Sequence, residues 1–334
     1  MGMRIRAVEY YLPPGTLSNN DLSASFPEWS VEKISAKTGI RSRHVASGDE
    51  YSSDLAVRAA EKCFAARPEL RNDVDYVIVC SQTSDFVLPG IAGIVQDRLG
   101  LPTGIGAVDI NLGCSGYVYA LGLAKGLIES RQATRILLIT SDTYTKLLNE
   151  RDKSVRTIFG DGATASIIDS DARHDGFQIV YGTDGAGAAS LIVPGGGIRD
   201  GREIQPSADA AARQLDSGQF DLYMDGPDIF NFTLRVVPQS VNDLLERSGL
   251  EKDEVDLFVF HQANAFMLDH LRRKLDIPKE RFFLSLEETG NTVSSTIPIA
   301  LAEAVRSGAL VPGMMVMLLG FGVGLSWAGM LLKW

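Results

Sequence analysis

The sequence predicts an α/β fold made of two similar halves. Apolar strand-like runs alternate with helical ones along the chain. The run DVDYVIVC (73–80) has a counterpart in EVDLFVFH (254–261), each an acidic–Val–Asp lead into a buried-strand pattern. A second apolar strand follows in each half, RILLIT (135–140) and MMVMLL (314–319). Each then meets a Gly-X-Gly turn and a further apolar strand, in FGDGATASII (159–168) and FGVGLSWAGMLL (321–332). Four matched features in one order point to a duplication.

Taken along the chain, MGMRIRAVEYYLPPG reads as a strand and turn without the apolar core of a signal peptide. The helical segment AVRAAEKCFAARPEL (56–70) precedes the first buried strand, as RVVPQSVNDLLERSGL (235–250) precedes its counterpart. The strand AVDIN (107–111) runs into a Leu-Gly-Cys-Ser-Gly turn and an apolar helix. The polar stretch SDARHDG marks the boundary, giving halves at 1–172 and 173–334. The Gly-rich segment 182–205 has no strand before it and no Lys-Ser/Thr helix start after it, so it reads as a surface loop. The run 314–332 is broken by Gly, Ser and Trp, which suits strand–turn–strand better than a membrane span.

With 334 residues, 45% hydrophobic and 22% charged, the chain can bury a large core unaided. A net charge of −10 argues against nucleic acid as the main partner. Cys63, Cys80 and Cys114 form no CxxC and no disulfide framework, and His44, His174, His261 and His270 show no metal-ligand spacing. These counts predict a reduced cytoplasmic enzyme with no metal and no membrane segment.

Cys114 sits at or beside a helix N-terminus, between Gly113 and Gly116. Unpaired N–H groups and the helix dipole lower a thiol's pKa there and can hold an oxyanion, while the glycines admit a substrate. Cys63, in mid-helix, and Cys80, at a strand end, read as small buried hydrophobes. His261 ends a strand in VDLFVFHQAN, where ligands bind in open α/β sheets. Asn291 lies in the polar turn TGNT before a helix containing Pro298; by spacing alone it, or Thr292, is a helix N-cap. Together the three supply a nucleophile and two hydrogen-bond donors for a developing oxyanion, the set that thioester chemistry needs. Cys114 also follows Asp75 at nearly the spacing at which Asn291 follows Asp256, so the two would occupy matching places in the two halves.

NLGCSGYVYAL, HQAN, GNTVSSTIP and GFGVGLSW, with KTGIRSRHVA (37–46) and RTIFGDGATA (156–165), resemble the β-ketoacyl-acyl-carrier-protein synthase III family over essentially the whole length. The resemblance implies a thiolase fold with a duplicated, five-layered αβαβα architecture. It implies a cytoplasmic homodimer that uses coenzyme A or acyl-carrier-protein thioesters and needs no cofactor. By it, Cys114 accepts the acyl group, and His261 and Asn291 bind the malonyl carbonyl and stabilise the enolate. The backbone N–H groups of Cys114 and Val323 form the second oxyanion hole, and Phe321 lines the site. Val323 stands where the family often has Gly.

Further departures concern substrates. Lys33 stands where the family usually carries an adenine-stacking Trp, with Trp29 as the nearby tryptophan, and Phe266 replaces an Arg two residues after Asn264. Leu88, in the loop SQTSDFVLPG (81–90), replaces an aromatic that often closes the acyl pocket across the dimer. These point away from acetyl-coenzyme A and towards a divergent member in specialised metabolism whose donor or extender arrives on a carrier protein. Arg272, Arg273 and Lys274, in HLRRKLDIPKER (270–281), are the candidate docking patch. Acyl transfer to an amine or alcohol, and hydrolysis by a Cys–His–Asn triad, are the alternative chemistries; a decayed, inactive partner subunit is the non-enzymatic one.

Overall fold

The computed structural model describes residues 2–171, 178–198 and 218–334. The chain opens on β1 (Met3–Tyr11), then β2 (Gly15–Ser18), α1 (Asn19–Ser25), α2 (Val31–Thr38) and β3 (Ser42–Val45), with β2 and β3 pairing antiparallel. There follow α3 (Ser52–Ala66), β4 (Tyr76–Cys80), α4 (Ile91–Arg98), β5 (Gly106–Ile110), α5 (Gly116–Glu129), β6 (Arg135–Asp142), α6 (Lys153–Arg156) and β7 (Gly162–Ser170). The second half contains β8 (Gln178–Thr183), the short pair β9 (Leu191–Ile192) and β10 (Tyr223–Met224), and the long α7 (Gly226–Ser248). It closes with β11 (Leu257–Phe260), α8 (Ala265–Lys274), α9 (Thr296–Arg306), β12 (Met315–Gly322) and β13 (Ser326–Lys333).

Two mixed sheets form, in the orders β1-β7-β6-β4-β5 and β8-β13-β12-β11. Every pairing in the second has an equivalent in the first: β4 with β6 and β11 with β12 are parallel, β6 with β7 and β12 with β13 antiparallel. Where the first sheet adds β5 beside β4, the second keeps a single parallel bridge from Phe258 to Phe282. The matched aspartates do the same local work. Asp75 accepts from the Arg135 N–H at 3.0 Å and donates its own N–H to the Arg135 carbonyl. Asp256 accepts from the Met315 N–H at 2.7 Å and donates to the Met315 carbonyl. Each pins the start of the two parallel strands that carry the half.

Side chains alternating along the buried strands sort into separate cores. Val77, Val79, Leu137 and Ile139 pack outward under α3 and α4, whereas Ile78, Ile136 and Leu138 pack inward on α5 and α9. The inner face of the second sheet meets the same two helices through Val259, Val316 and Leu318, and its outer face meets α7 and α8 through Phe258, Phe260 and Met317. The result is the five-layered αβαβα order of the thiolase fold, with α5 and α9 sandwiched between sheets. Covering both faces explains why these strands read as continuous apolar runs. It also explains why α5 is apolar nearly all round, from Tyr117 and Val118 to Leu121 and Ile128.

The expected boundary and His174 fall on residues 172–177, outside the described residues. Of the Gly-rich segment 182–205, the part to residue 198 holds the end of β8, a 3₁₀ turn at Gly185–Ser190 and β9, and the rest lies outside the described residues. Residues 314–332 form the hairpin β12–β13.

Candidate active site

The nucleophile loop leaves β5 at Ile110 and enters α5 through Ser115, which caps the helix, so Cys114 lies one residue outside it. Strand β12 crosses directly over this loop. A Cβ on Gly320 would stand 2.6 Å from the Cys114 carbonyl oxygen, and one on Gly322 would stand 3.0 Å from Cys114 Sγ. Only glycine lets the strand come this close. Ser115 Oγ and Ser326 Oγ share a hydrogen bond of 2.7 Å, and the Ser326 hydroxyl donates to the Val323 carbonyl at 2.7 Å. The turn after β12 is thereby tied to the start of α5, and the N–H groups of Cys114 and Val323 both face the sulfur.

Those N–H groups favour the thiolate, as expected of a helix start, but they do not prevail. Burial, with the Asp142 carboxylate adding to it, pushes the Cys114 thiol up to about 12. This corrects the expectation of a lowered thiol pKa: Cys114 is only 6% exposed, and desolvation of an anion outweighs a few dipoles. Cys63 is likewise pushed up to about 12 by burial. Cys80 is raised too, and its thiol donates to the Leu112 carbonyl at 3.0 Å.

His261 ends β11, its N–H bound to the Leu319 carbonyl at 2.8 Å. Burial pushes its imidazole down to about 3, so the ring is neutral at physiological pH. Its Nδ1 lies 2.7 Å from Thr296 Oγ1, and its face is met edge-on by Phe321 with ring centroids 5.5 Å apart. The neighbouring Gln262 turns away, donating to the carbonyls of Phe260 and Phe283 and accepting from the Ser285 N–H.

Asn291 is held by its backbone to the segment after α6: its N–H donates to the Ile158 carbonyl at 2.9 Å, and its carbonyl accepts from the Gly160 N–H at 3.0 Å. Its side chain does two things at once. Oδ1 accepts from the Val293 N–H at 2.9 Å, while Nδ2 turns into the cavity, 3.5 Å from His261 Nε2. The helix cap expected at Asn291 or Thr292 is corrected: Ser295 holds the cap position of α9 and Thr292 that of the 3₁₀ turn Val293–Ser295, neither with a side-chain cap bond, while Asn291 makes its bond to the Val293 N–H from one residue earlier. Val293 holds φ at +57°, an uncommon conformation for a β-branched residue, beside the amide that this turn orients.

Cys114, His261, Asn291 and Phe321 line one cavity of about 170 Å³. Asn264 joins them as the N-cap of α8, its Oδ1 accepting from the Met267 N–H at 2.8 Å. Phe266 stands at the rim, 60% exposed, stacked on Phe230 at 6.1 Å. Leu88 does not reach this cavity; it stands on the surface, 81% exposed. Arg272 and Arg273 both pair with Asp269, Arg272 also donates to the Ile277 carbonyl, and Lys274 donates to the Leu234 carbonyl. Asp269 thus partly neutralises the run, and Arg272 does structural work at the end of α8. Thr296 and Asp142 were not singled out from sequence, nor were Ile229 and Phe230, which make the walls apolar.

Nδ2 and Nε2 at 3.5 Å are placed so that one oxygen atom can touch both. Two backbone N–H groups at the sulfur can hold another. The site thus offers a thiol and two separate oxyanion positions within apolar walls.

Residues 108–185 match the family model for 3-oxoacyl-[acyl-carrier-protein] synthase III, and residues 245–334 match the model for its C-terminal part. A curated relative, β-ketoacyl-[acyl-carrier-protein] synthase III 2 of Halalkalibacterium halodurans, is 35% identical over 99% of this chain and 96% of its own. A solved 3-oxoacyl-(acyl-carrier-protein) synthase III is 46% identical over the whole of both chains, with a TM-score of 0.94. The corresponding enzyme structure from Burkholderia xenovorans is 36% identical, with a TM-score of 0.92, over 100% of this chain and 94% of that one.

The electrostatics have a measurable sign. A thiol whose folded pKa is raised adds stability that is lost as pH climbs above its ordinary value, and its nucleophilic form appears late. Alkylation of Cys114 by iodoacetamide, followed by peptide mass, should keep accelerating past pH 9 towards about 12. A plateau near pH 8.5, the ordinary thiol value, would contradict this account of the site.

Proposed function

The chain belongs to the β-ketoacyl-[acyl-carrier-protein] synthase III family, and from that premise we propose that it joins an acyl group to a malonyl thioester by decarboxylative condensation. In the first step Cys114 Sγ attacks the donor thioester carbonyl. The carrier thiol leaves with the proton that the cysteine gives up, and an acyl–Cys thioester remains. In the second, the malonyl thioester loses carbon dioxide and becomes an enolate. Its carbon attacks the acyl carbonyl, whose oxygen rests on the N–H groups of Cys114 and Val323. Collapse of the tetrahedral adduct frees the β-ketoacyl product and expels Cys114 as a thiolate, which takes one proton from water to return to the thiol. Atoms balance with the two thioesters and that proton, so the scheme calls for no cofactor.

The observation that carries the reading is the convergence of Cys114, His261 and Asn291 on one apolar cavity. The enolate oxygen would rest on His261 Nε2–H and Asn291 Nδ2–H. For Nε2 to carry the proton, Nδ1 must accept one; the Thr296 hydroxyl lies 2.7 Å away and supplies it by turning its hydrogen from the Val293 carbonyl, 3.1 Å away. A neutral imidazole suits this task, since it donates without leaving a cation behind in a desolvated site. Direct transfer to an amine or alcohol would leave the paired donors Asn291 and His261 with no enolate to hold, and hydrolysis would need His261 as a base, a task for which a ring pushed down to about 3 is poorly suited.

A carrier protein as the source of the thioester is part of the proposal. The ammonium groups of Lys37, Lys33 and Lys153 stand 5.3, 5.4 and 5.8 Å from the Trp29 ring centre and compete with adenine for that ring. Near the cavity rim on α8, the Arg273 side chain is 65% exposed and faces an incoming acidic partner, with Arg272 and Lys274 beside it. A homodimer fits the bare edge of the first sheet, where Ala107, Val108 and Asp109 of β5 are exposed. Leu88 and Val87, both more than four-fifths exposed, would find cover there, with Leu88 closing the partner subunit's acyl pocket. Three free thiols suit a reducing, cytoplasmic setting. Among the described residues no helix is long and apolar enough to cross a membrane. The lost adenine stack and the Phe at position 266 suit a role in specialised metabolism.

His261→Ala and Asn291→Ala should each leave acylation of Cys114 partly intact and slow condensation by about 10²–10³, the usual cost of losing one oxyanion donor. Condensation at the wild-type rate by either variant overturns the assignment. Arg273→Glu should raise KM for carrier-bound substrate, with a deficit that shrinks as salt screens charges beyond about 8–10 Å. Short pantetheine thioesters should react unchanged; unaltered carrier kinetics would put docking elsewhere.

A further inference from the structure

Asp142, the last residue of β6, is fully buried and takes no part in the two steps above. Its two carboxylate oxygens face different parts of the site. Oδ1 accepts from the Gln82 N–H at 2.8 Å and from the Thr83 hydroxyl at 3.5 Å, at the start of the acyl-pocket loop 81–90. Oδ2 accepts from the Ser294 hydroxyl and, at 3.4 Å, from the Ser294 N–H. Ser294 is the middle residue of the 3₁₀ turn whose first N–H, that of Val293, fixes Oδ1 of Asn291. Holding the turn therefore aims Asn291 Nδ2 at the cavity.

Gln82 extends the same web to the nucleophile. Its Oε1 accepts from the Tyr144 hydroxyl at 3.3 Å and lies 2.4 Å from where a Cβ on Gly113 would stand. We infer that Asp142 is a positioning residue that fastens the acyl-pocket loop to the Asn291 turn behind Cys114, so that the geometry of the two half-reactions is set by one side chain. The inference rests on the condensation reading above.

The groups facing this carboxyl are all anionic or neutral: Asp161, Cys80, Cys114 and Tyr144. Among the described residues, the groups that act on it most strongly include no cation. Burial pushes the carboxyl up to about 7, and the Ser294 and Gln82 donors oppose that rise. As an anion it adds to the burial that raises the Cys114 thiol.

Two variants separate the brace from a general structural role. Asp142→Asn removes the charge and weakens the Ser294 bond; Ser294→Ala removes the hydroxyl bond to the Asn291 turn, leaves the longer N–H bond at 3.4 Å and keeps the carboxylate. Condensation by enzyme already acylated at Cys114 should fall roughly 10-fold or more in both, as expected for loss of a hydrogen bond to a charged group. Iodoacetamide alkylation of Cys114 should move to lower pH in Asp142→Asn and stay in place in Ser294→Ala. Wild-type condensation in Ser294→Ala, or an unmoved alkylation profile in a folded Asp142→Asn, overturns the inference. If Asp142→Asn does not fold, Ser294→Ala alone decides it, by slowed condensation with an unchanged alkylation profile or by the wild-type rate. If wild-type enzyme takes no acyl group on Cys114, the condensation reading has failed instead.

Discussion

Desolvation of the place where the two sheets meet is the constraint on which the remainder of this structure depends. Burial there pushes the Cys114 thiol up to about 12, the Asp142 carboxyl up to about 7 and the His261 imidazole down to about 3. Every shift favours the neutral form. Polar groups survive there only because each has partners: Thr296 for His261, Val293 for Asn291, Ser294 and Gln82 for Asp142. The same dryness strengthens a fixed N–H aimed at developing charge, which is how a site whose thiol and imidazole rest uncharged can still favour a charged transition state.

Duplication explains how the parts arrive together. In each half the segment after the edge position, β5 in one and the Phe282 bridge in the other, turns inward and starts a central helix. Cys114 precedes α5 and Asn291 precedes α9, and both helices are clamped between the sheets. The two half-reactions thus inherit equivalent positions, and β12 with its glycines bridges them by lying against Cys114.

Much of this was legible in the residues. The paired runs at 73–80 and 254–261 announced equivalent strands, because strands buried on both faces must be apolar throughout. Glycines beside Cys114 announced close approach, and a His at a strand end announced a ligand position. What could not be read were effects that depend on distant neighbours. Helix-start dipoles were visible around Cys114, but its burial under β12 was not, so the thiol pKa went the other way. Asn291 looked like a helix cap because the other end of its amide meets His261 only in three dimensions. Asp142 is one acid among many until Ser294, far along the chain, lands on it. The basic run at 272–274 hid its own counter-charge, since Asp269 lies one turn back on the same helix.

The most direct measurement is peptide mapping by mass after the intact protein is mixed with acyl thioesters on a carrier protein and on pantetheine, then chased with a malonyl thioester. A single acyl mass on the peptide holding Cys114, discharged by the chase as a β-ketoacyl product, is the result expected from this structure. An acyl group on Cys63 or Cys80, or an acyl–Cys114 that water discharges as fast as the malonyl thioester does, would contradict it.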